Sequence, residues 1–200
     1  MGEVINMKLV KINKKYEGKY LTYYIADYLT EKGHIKSYEL ISRNKNLTVE
    51  NFGVDKPAGV GIVAFSMDKQ KILLQKEFRM SCNAWVVTFP AGLIDEGETA
   101  EIAGAREVKE ETGVNVIQID DVLAPCFTAQ GFSDEKMTIV ICRCEGEPRP
   151  SEDEVEEIIP KWYTKQEAKE LLDTGFPMSV RTQMFLYQWV HENNEKLIND

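Results

Sequence analysis

The stretch that most limits what this chain can fold into runs from Gly92 to Val114, GLIDEGETAEIAGAREVKEETGV. Thr99 offers a side-chain oxygen to the free amides at the start of a helix, and Gly113 suits the left-handed conformation that ends one. Between these caps, residues three and four apart share a face. Glu107, Glu110 and Glu111 therefore form one acidic side, with Ile102, Ala105 and Val108 roughly opposite. Glu98 and Glu101 add to the crowd of carboxylates around a single Arg106. Like charges at this spacing destabilise an exposed helix by roughly a few tenths of a kcal/mol per pair. An ordinary charged surface helix gains nothing from the arrangement. A helix that holds a divalent cation does, because hard ions such as Mg²⁺ take oxygen ligands, mostly carboxylates.

The remaining composition bounds the partners. Two hundred residues, 43% of them hydrophobic, suffice for one large domain or a domain with a small addition, and for a sizeable core. A formal charge of −9 argues against a nucleic-acid partner, since binding its phosphates needs clustered Lys and Arg. Phosphate chemistry stays open, because bound metal ions supply positive charge that side chains do not. No apolar run approaches the ~20 residues of a membrane span. The N-terminal MGEVINMKLV lacks the basic-then-apolar layout of a secretory signal, so the expected location is cytoplasmic. Cys82, Cys126, Cys142 and Cys144 include no C-x-x-C pair, and His34 and His191 are the sole histidines, which disfavours zinc. Cys142 and Cys144 alternate on one strand face, misdirected for a mutual disulfide, and reduced thiols are expected.

Along the chain, Leu9–Ile12, Tyr20–Leu29 and His34–Ser42 read as strands, with turns at Glu17-Gly18 and Lys32-Gly33. Residues 44–56, with NKN, FG and DKP, read as a boundary. Buried strands follow at GVGIVAF, KILLQKEF ending at Arg79, and WVVTF, before the helix that Thr99 opens. Val114–Leu123 and Lys136–Cys144 read as two more strands, separated by the small and polar loop PCFTAQGFSDE. The acid-rich run 145–157 is a charged linker or a functional loop. IIPKWY reads as a strand, Thr164 to Glu167 as a capping box, and residues 177–196 as an amphipathic helix. On that helix Val180, Met184, Tyr187 and Val190 or His191 form a stripe expected to serve core or dimer packing. The order of elements predicts an α+β fold, an α/β/α sandwich with a small N-terminal β-sheet extension.

Gly92, Glu98, Arg106, Glu107, Val108, Glu110, Glu111, Gly113 and Val114 fall at the spacing Gly-x5-Glu-x7-Arg-Glu-apolar-x-Glu-Glu-x-Gly-apolar. This resembles the signature of the Nudix hydrolases. KEFR, TFPAGLID and SYELISR are similar to the ADP-ribose pyrophosphatase branch of that family. The resemblance implies the same layered fold, with residues 1–56 as a β extension for dimerisation and base stacking, and 57–200 as the hydrolase domain. It implies hydrolysis of ADP-ribose or a similar nucleoside-diphosphate sugar with Mg²⁺, Mn²⁺ being the possible substitute, in a homodimer formed through the extension.

What the resemblance implies for individual residues follows. Glu107 and Glu111 would bind the metal, with Glu110 beside them and the Ala91 carbonyl completing the site. Gly92 would permit the tight turn, and Glu98 would pair with Arg106. Arg79 would face the phosphates, a plain strand-end arginine being the alternative. Tyr38 would stack on the base or be an ordinary strand tyrosine. Gly131 and Glu135 would belong to a loop near the substrate, in which Gln130 stands where the branch keeps proline. The general base would come from the acidic run, at Glu154, Glu152 or Glu156. Two other readings stand beside this one: a non-catalytic nucleotide- or ADP-ribose-binding regulatory module, and hydrolysis of another nucleotide such as a GDP-sugar, a dinucleotide or an oxidised nucleotide.

Overall fold

The computed structural model describes residues 7–53, 56–151 and 157–192. In chain order its elements are β1 (Met7–Glu17), β2 (Thr22–Thr30), β3 (Ile35–Ser42), β4 (Gly59–Ser66), β5 (Lys71–Arg79), β6 (Ala84–Thr88) and β7 (Ala91–Leu93). These lead to α1 (Ala100–Thr112), β8 (Asn115–Val122), β9 (Cys126–Phe127), β10 (Lys136–Glu145), β11 (Ile158–Thr164), α2 (Lys165–Asp173) and α3 (Val180–His191). The chain falls into two compact units, Met1–Ala58 with Pro125–Met137, and Gly59–Ala124 with Thr138–Asp200.

In the first unit β1, β2 and β3 form a three-stranded antiparallel sheet in that order. The turns fall where the glycines predict: the Gly18 amide donates to the Leu21 carbonyl at 2.8 Å, and Gly33 has φ +78°. Such a small sheet needs a cover for its apolar face. Tyr24, Ala26 and Leu40 bury theirs with Leu47, and the Tyr24 hydroxyl donates to the Asn44 carbonyl at 2.9 Å. The segment expected as a loop, Pro125–Glu135, belongs to this unit, which continues to Met137. It carries β9, paired with Lys136 and Met137, and it is bonded to β3. The Ile41 amide donates to the Phe132 carbonyl at 2.9 Å, and the Ser42 hydroxyl to Asp134 at 2.9 Å. These partners lie some ninety residues apart in sequence, so no local pattern announces them.

The second unit holds a sheet in the order β11-β5-β4-β10-β8, with β6 on β5 and β7 on β4. Alternation along its strands divides the core between two faces. Val60, Ile62, Ala64 and Leu73 pack with Ala103 and Val108 of α1. Val63, Ile72 and Leu74 pack with Ala168 and Leu171 of α2 and Leu186 and Trp189 of α3. Helices thus cover both faces, as the expected α/β/α layering requires. The Cys142 and Cys144 thiols lie 3.6 Å apart in this core, and all four cysteines are free. Among the described residues no helix is long and apolar enough to cross a membrane.

Packing decides which face of two helices is buried. On α1, Ile102 is exposed, whereas Ala103, Gly104, Val108, Glu111 and Thr112 are buried. The small residues decide this: a Cβ at Gly104 would already meet Ile62 at 3.4 Å and Val60 at 3.6 Å, so this is the side that lies on the sheet. The rotation carries Glu111 inward. On α3, Val180, Met184 and Tyr187 of the expected stripe are exposed and so are not core, whereas Val190 packs against the core with Leu186 and Trp189, and Thr182 is buried too. Both sides of α3 carry apolar residues, and the Leu186 and Trp189 side chains fill the space against α2 and the sheet.

Candidate metal and active site

Helix α1 is capped as its sequence dictates. The Thr99 hydroxyl accepts from the Ile102 amide at 3.4 Å, and Gly113 ends the helix at φ +73°. The turns between present Glu107 and Glu111 toward the short strand β7. Gly92 in β7 leaves room for Glu107: a Cβ there would fall 2.0 Å from the Glu107 carboxyl carbon and 2.1 Å from its Oε1. The Glu107 carboxylate occupies the space a side chain would take.

Glu111 is 8% exposed. Its Oε2 accepts from the Ala91 amide at 3.1 Å and from the Gln75 side-chain amide at 3.2 Å. Both donors favour the charged form, yet burial outweighs them. Desolvation, with smaller contributions from the charges of Glu107 and Glu77, raises the Glu111 carboxyl to about 8.

Arg106 binds the loop before α1 to the helix. Its Nε and Nη2 donate to the two Glu98 oxygens at 3.0 and 2.9 Å, the fork geometry that makes such pairs strong. Nη2 also reaches the Leu93 carbonyl at 3.0 Å. Nη1 meets Glu107 at 2.7 Å and Glu110 at 3.2 Å. The guanidinium, with the Asp95 amide, holds the Glu98 carboxyl down at about 2. Glu110 is the exposed member of the acidic face, its side chain 60% accessible.

The donors suit a hard divalent cation. Two carboxylates lie on successive turns of one helix, and one of them is kept from ionising by its burial, a penalty that an adjacent cation removes. Among the described residues no cluster of three or more His, Cys, Asp or Glu side chains forms.

Ala91, Gly92, Glu98, Arg106, Glu107, Glu110 and Glu111 are thus brought together in the second unit. Arg79, in the same unit, is half-exposed and ion-paired to Glu77. In the first unit the Tyr38 hydroxyl donates to the Gly131 carbonyl at 2.6 Å. Gln130 lines a hollow of ≈ 260 Å³ there with Tyr38, Phe127 and Phe132. Glu135 pairs with Arg43 at 2.6 Å and accepts from the Thr128 hydroxyl at 3.1 Å. Glu152, Glu154 and Glu156 lie outside the described residues. Sequence reasoning missed Gln75 and Glu77. The signal was a polar residue closing the apolar run Ile72-Leu73-Leu74, on the strand face that Leu73 turns toward α1.

The NUDIX domain family matches residues 55–181, and the chain belongs to it. Over 144 residues the chain is 30% identical to nudix hydrolase 2 of Caenorhabditis elegans, a match covering 70% of this chain and 62% of that protein. It is 25% identical over 171 residues to the ADP-ribose pyrophosphatase of Bacillus subtilis, covering 84% and 83% of the two chains. To the mouse ADP-sugar pyrophosphatase it is 26% identical over 151 residues, covering 72% and 67%. The fold is shared with a crystal structure of an ADP compounds hydrolase, at a TM-score of 0.67 and 18% identity, over 95% of this chain and 97% of that one.

Proposed function

We propose that this protein uses Mg²⁺, with Mn²⁺ as a substitute, to hydrolyse the diphosphate bond of ADP-ribose or a similar nucleoside-diphosphate sugar. A nucleoside monophosphate and a sugar phosphate are the products. The observation that carries the reading is the buried Glu111 carboxylate beside Glu107, since a bound cation would offset the cost of charging it there. The similarity to pyrophosphatases named for ADP-ribose and ADP-sugars supports the substrate class.

In this reading Glu107 and Glu111 hold the metal, with Glu110 and the Ala91 carbonyl completing the set. When bound, the ion polarises a phosphoryl oxygen and lowers the pKa of a water. Gly92 leaves room for the Glu107 carboxylate, and Glu98 and Arg106 keep the loop Leu93–Glu98 on the helix. Arg79 offers its guanidinium to the phosphates. A carboxylate of the acidic run, Glu154 ahead of Glu152 and Glu156, accepts the proton of the attacking water. Tyr38, Gln130, Gly131 and Glu135 are assigned to substrate recognition, and the aromatic lining beside Tyr38 suits the flat face of a base. β1 is an edge of its sheet, and such edges pair readily with another chain, which supports a homodimer through the N-terminal sheet. Cytoplasmic location is part of the same proposal.

The test is a substrate panel read by product mass, with Mg²⁺ and with chelator: ADP-ribose, other nucleoside-diphosphate sugars, dinucleotides and oxidised triphosphates. ADP-ribose or a related sugar is expected to be cleaved only with metal, and Glu154→Gln to lower kcat. Nucleotide binding by calorimetry with no product from any panel member would favour a regulatory binding module instead.

A further inference from the structure

We infer that Gln75 is a positioning residue for the metal site. Its Nε2, together with the Ala91 amide, fixes one oxygen of Glu111 and so sets how the carboxylate is presented. The inference rests on the proposed role of Glu111 as a ligand.

Gln75 is 1% exposed, in the middle of β5, and its neighbours Leu73 and Leu74 are fully buried. Its backbone lies opposite Thr88 of β6 and Pro160 of β11, so the strand is held from both sides. Alternation puts the side chain on the face of Leu73, which packs under α1. An apolar residue is what this environment favours. The chain instead buries a primary amide there and leaves it half satisfied.

The satisfied half points at Glu111. Nε2 donates to Oε2 at 3.2 Å, and the Ala91 amide donates to that same oxygen at 3.1 Å. Two donors from different strands converging on one oxygen set the rotation of the carboxylate. The unsatisfied half is Oε1, buried with no hydrogen-bond partner. A buried acceptor without a donor destabilises the fold, and a leucine or methionine at this position would avoid that penalty. The chain bears that cost, and what it keeps in return is the second donor on Glu111 Oε2. Groups that orient ligands from behind change metal affinity by about 10- to 100-fold when removed.

The experiment compares the wild-type protein, Gln75→Met and Glu111→Gln, all metal-free, by Mn²⁺ titration (paramagnetic resonance and calorimetry) and by melting in chelator. Gln75→Met is expected to bind Mn²⁺ about 10- to 100-fold more weakly, and to melt at or above the wild-type temperature because the orphan acceptor is gone. Glu111→Gln is expected to lose Mn²⁺ binding. Wild-type Mn²⁺ affinity in Gln75→Met, whatever its melting temperature, overturns the inference and leaves the Glu111 reading standing. Retained binding in Glu111→Gln overturns both. Should Gln75→Met not fold, the side-chain amide resonance of Gln75 in the wild-type protein decides. It is expected to shift as Mg²⁺ saturates the site, and an unmoved resonance overturns the inference.

Discussion

Consider Glu111→Gln in the metal-free protein, with stability followed against pH. In the folded chain the Glu111 carboxyl is raised to about 8, chiefly by burial, against an ordinary value of 4.5. Below pH 4.5 it is protonated in both folded and unfolded chains and contributes no difference. Between the two values the folded chain keeps a proton that the unfolded chain releases. Stability therefore falls as pH rises, by about 1.36 kcal/mol for each pH unit. At pH 7 the wild-type protein has lost roughly 3 kcal/mol in this way, and above pH 8 the loss levels off near roughly 5 kcal/mol. Glutamine is neutral throughout, and its carbonyl can still accept from the Ala91 amide. The variant should match the wild type near pH 4.5 and exceed it by roughly 3 kcal/mol at pH 7, or about 6 to 12 °C in Tm for a chain of this size. Urea denaturation in chelator from pH 4.5 to 9 measures the difference. Mg²⁺ should reverse the order, because only the wild type gains stability by binding it. A stability difference that stays flat between pH 5 and 8, or a variant less stable than wild type at pH 7, would refute the reasoning about burial.

Gly92→Ala puts a methyl group where the Glu107 carboxylate sits, 2.0 Å from its carbon, and the flexible acid has to swing away. Stability should change by less than about 1 kcal/mol, since mainly the Arg106–Glu107 ion pair is lost. Mn²⁺ affinity should fall by at least about tenfold, and unchanged affinity would place Glu107 outside the metal site. Tyr38→Phe removes the 2.6 Å hydrogen bond to the Gly131 carbonyl. It should lower stability by about 0.5–1.5 kcal/mol and speed amide exchange at Ile41, which bonds the same loop through Phe132. Wild-type exchange there would show that the hydroxyl does not hold the loop.

Much of the architecture was legible because its causes are local. Alternating aromatic and β-branched residues with glycine turns marked β1 to β3, and Thr164 with Glu167 marked the start of α2 through a capping box that the structure contains. The α3 stripe shows where local reading stops. Val180, Met184 and Tyr187 have helical spacing, but so do Thr182, Leu186 and Trp189, and period alone does not choose between two apolar faces. Pro125–Glu135 shows the same limit at longer range: its small polar residues read as loop, while its bonds to β3 make it part of the N-terminal unit.

The stretch from Gly92 to Val114 divides along the same line. By itself the sequence determined the family, the caps of α1, and which acids sit a turn apart, because spacing on a helix follows from its own geometry. It also put Glu98 eight residues before Arg106, within reach of a loop folded back on the helix. Tertiary structure alone decided that Glu111 turns inward while Glu110 stays in water, because Ala103 and Gly104 let that side of α1 lie against the sheet. It also brought Gln75, thirty-six residues away, into contact with Glu111. Burial depends on what other elements place beside a residue, and the charge and pKa of a carboxylate depend on burial.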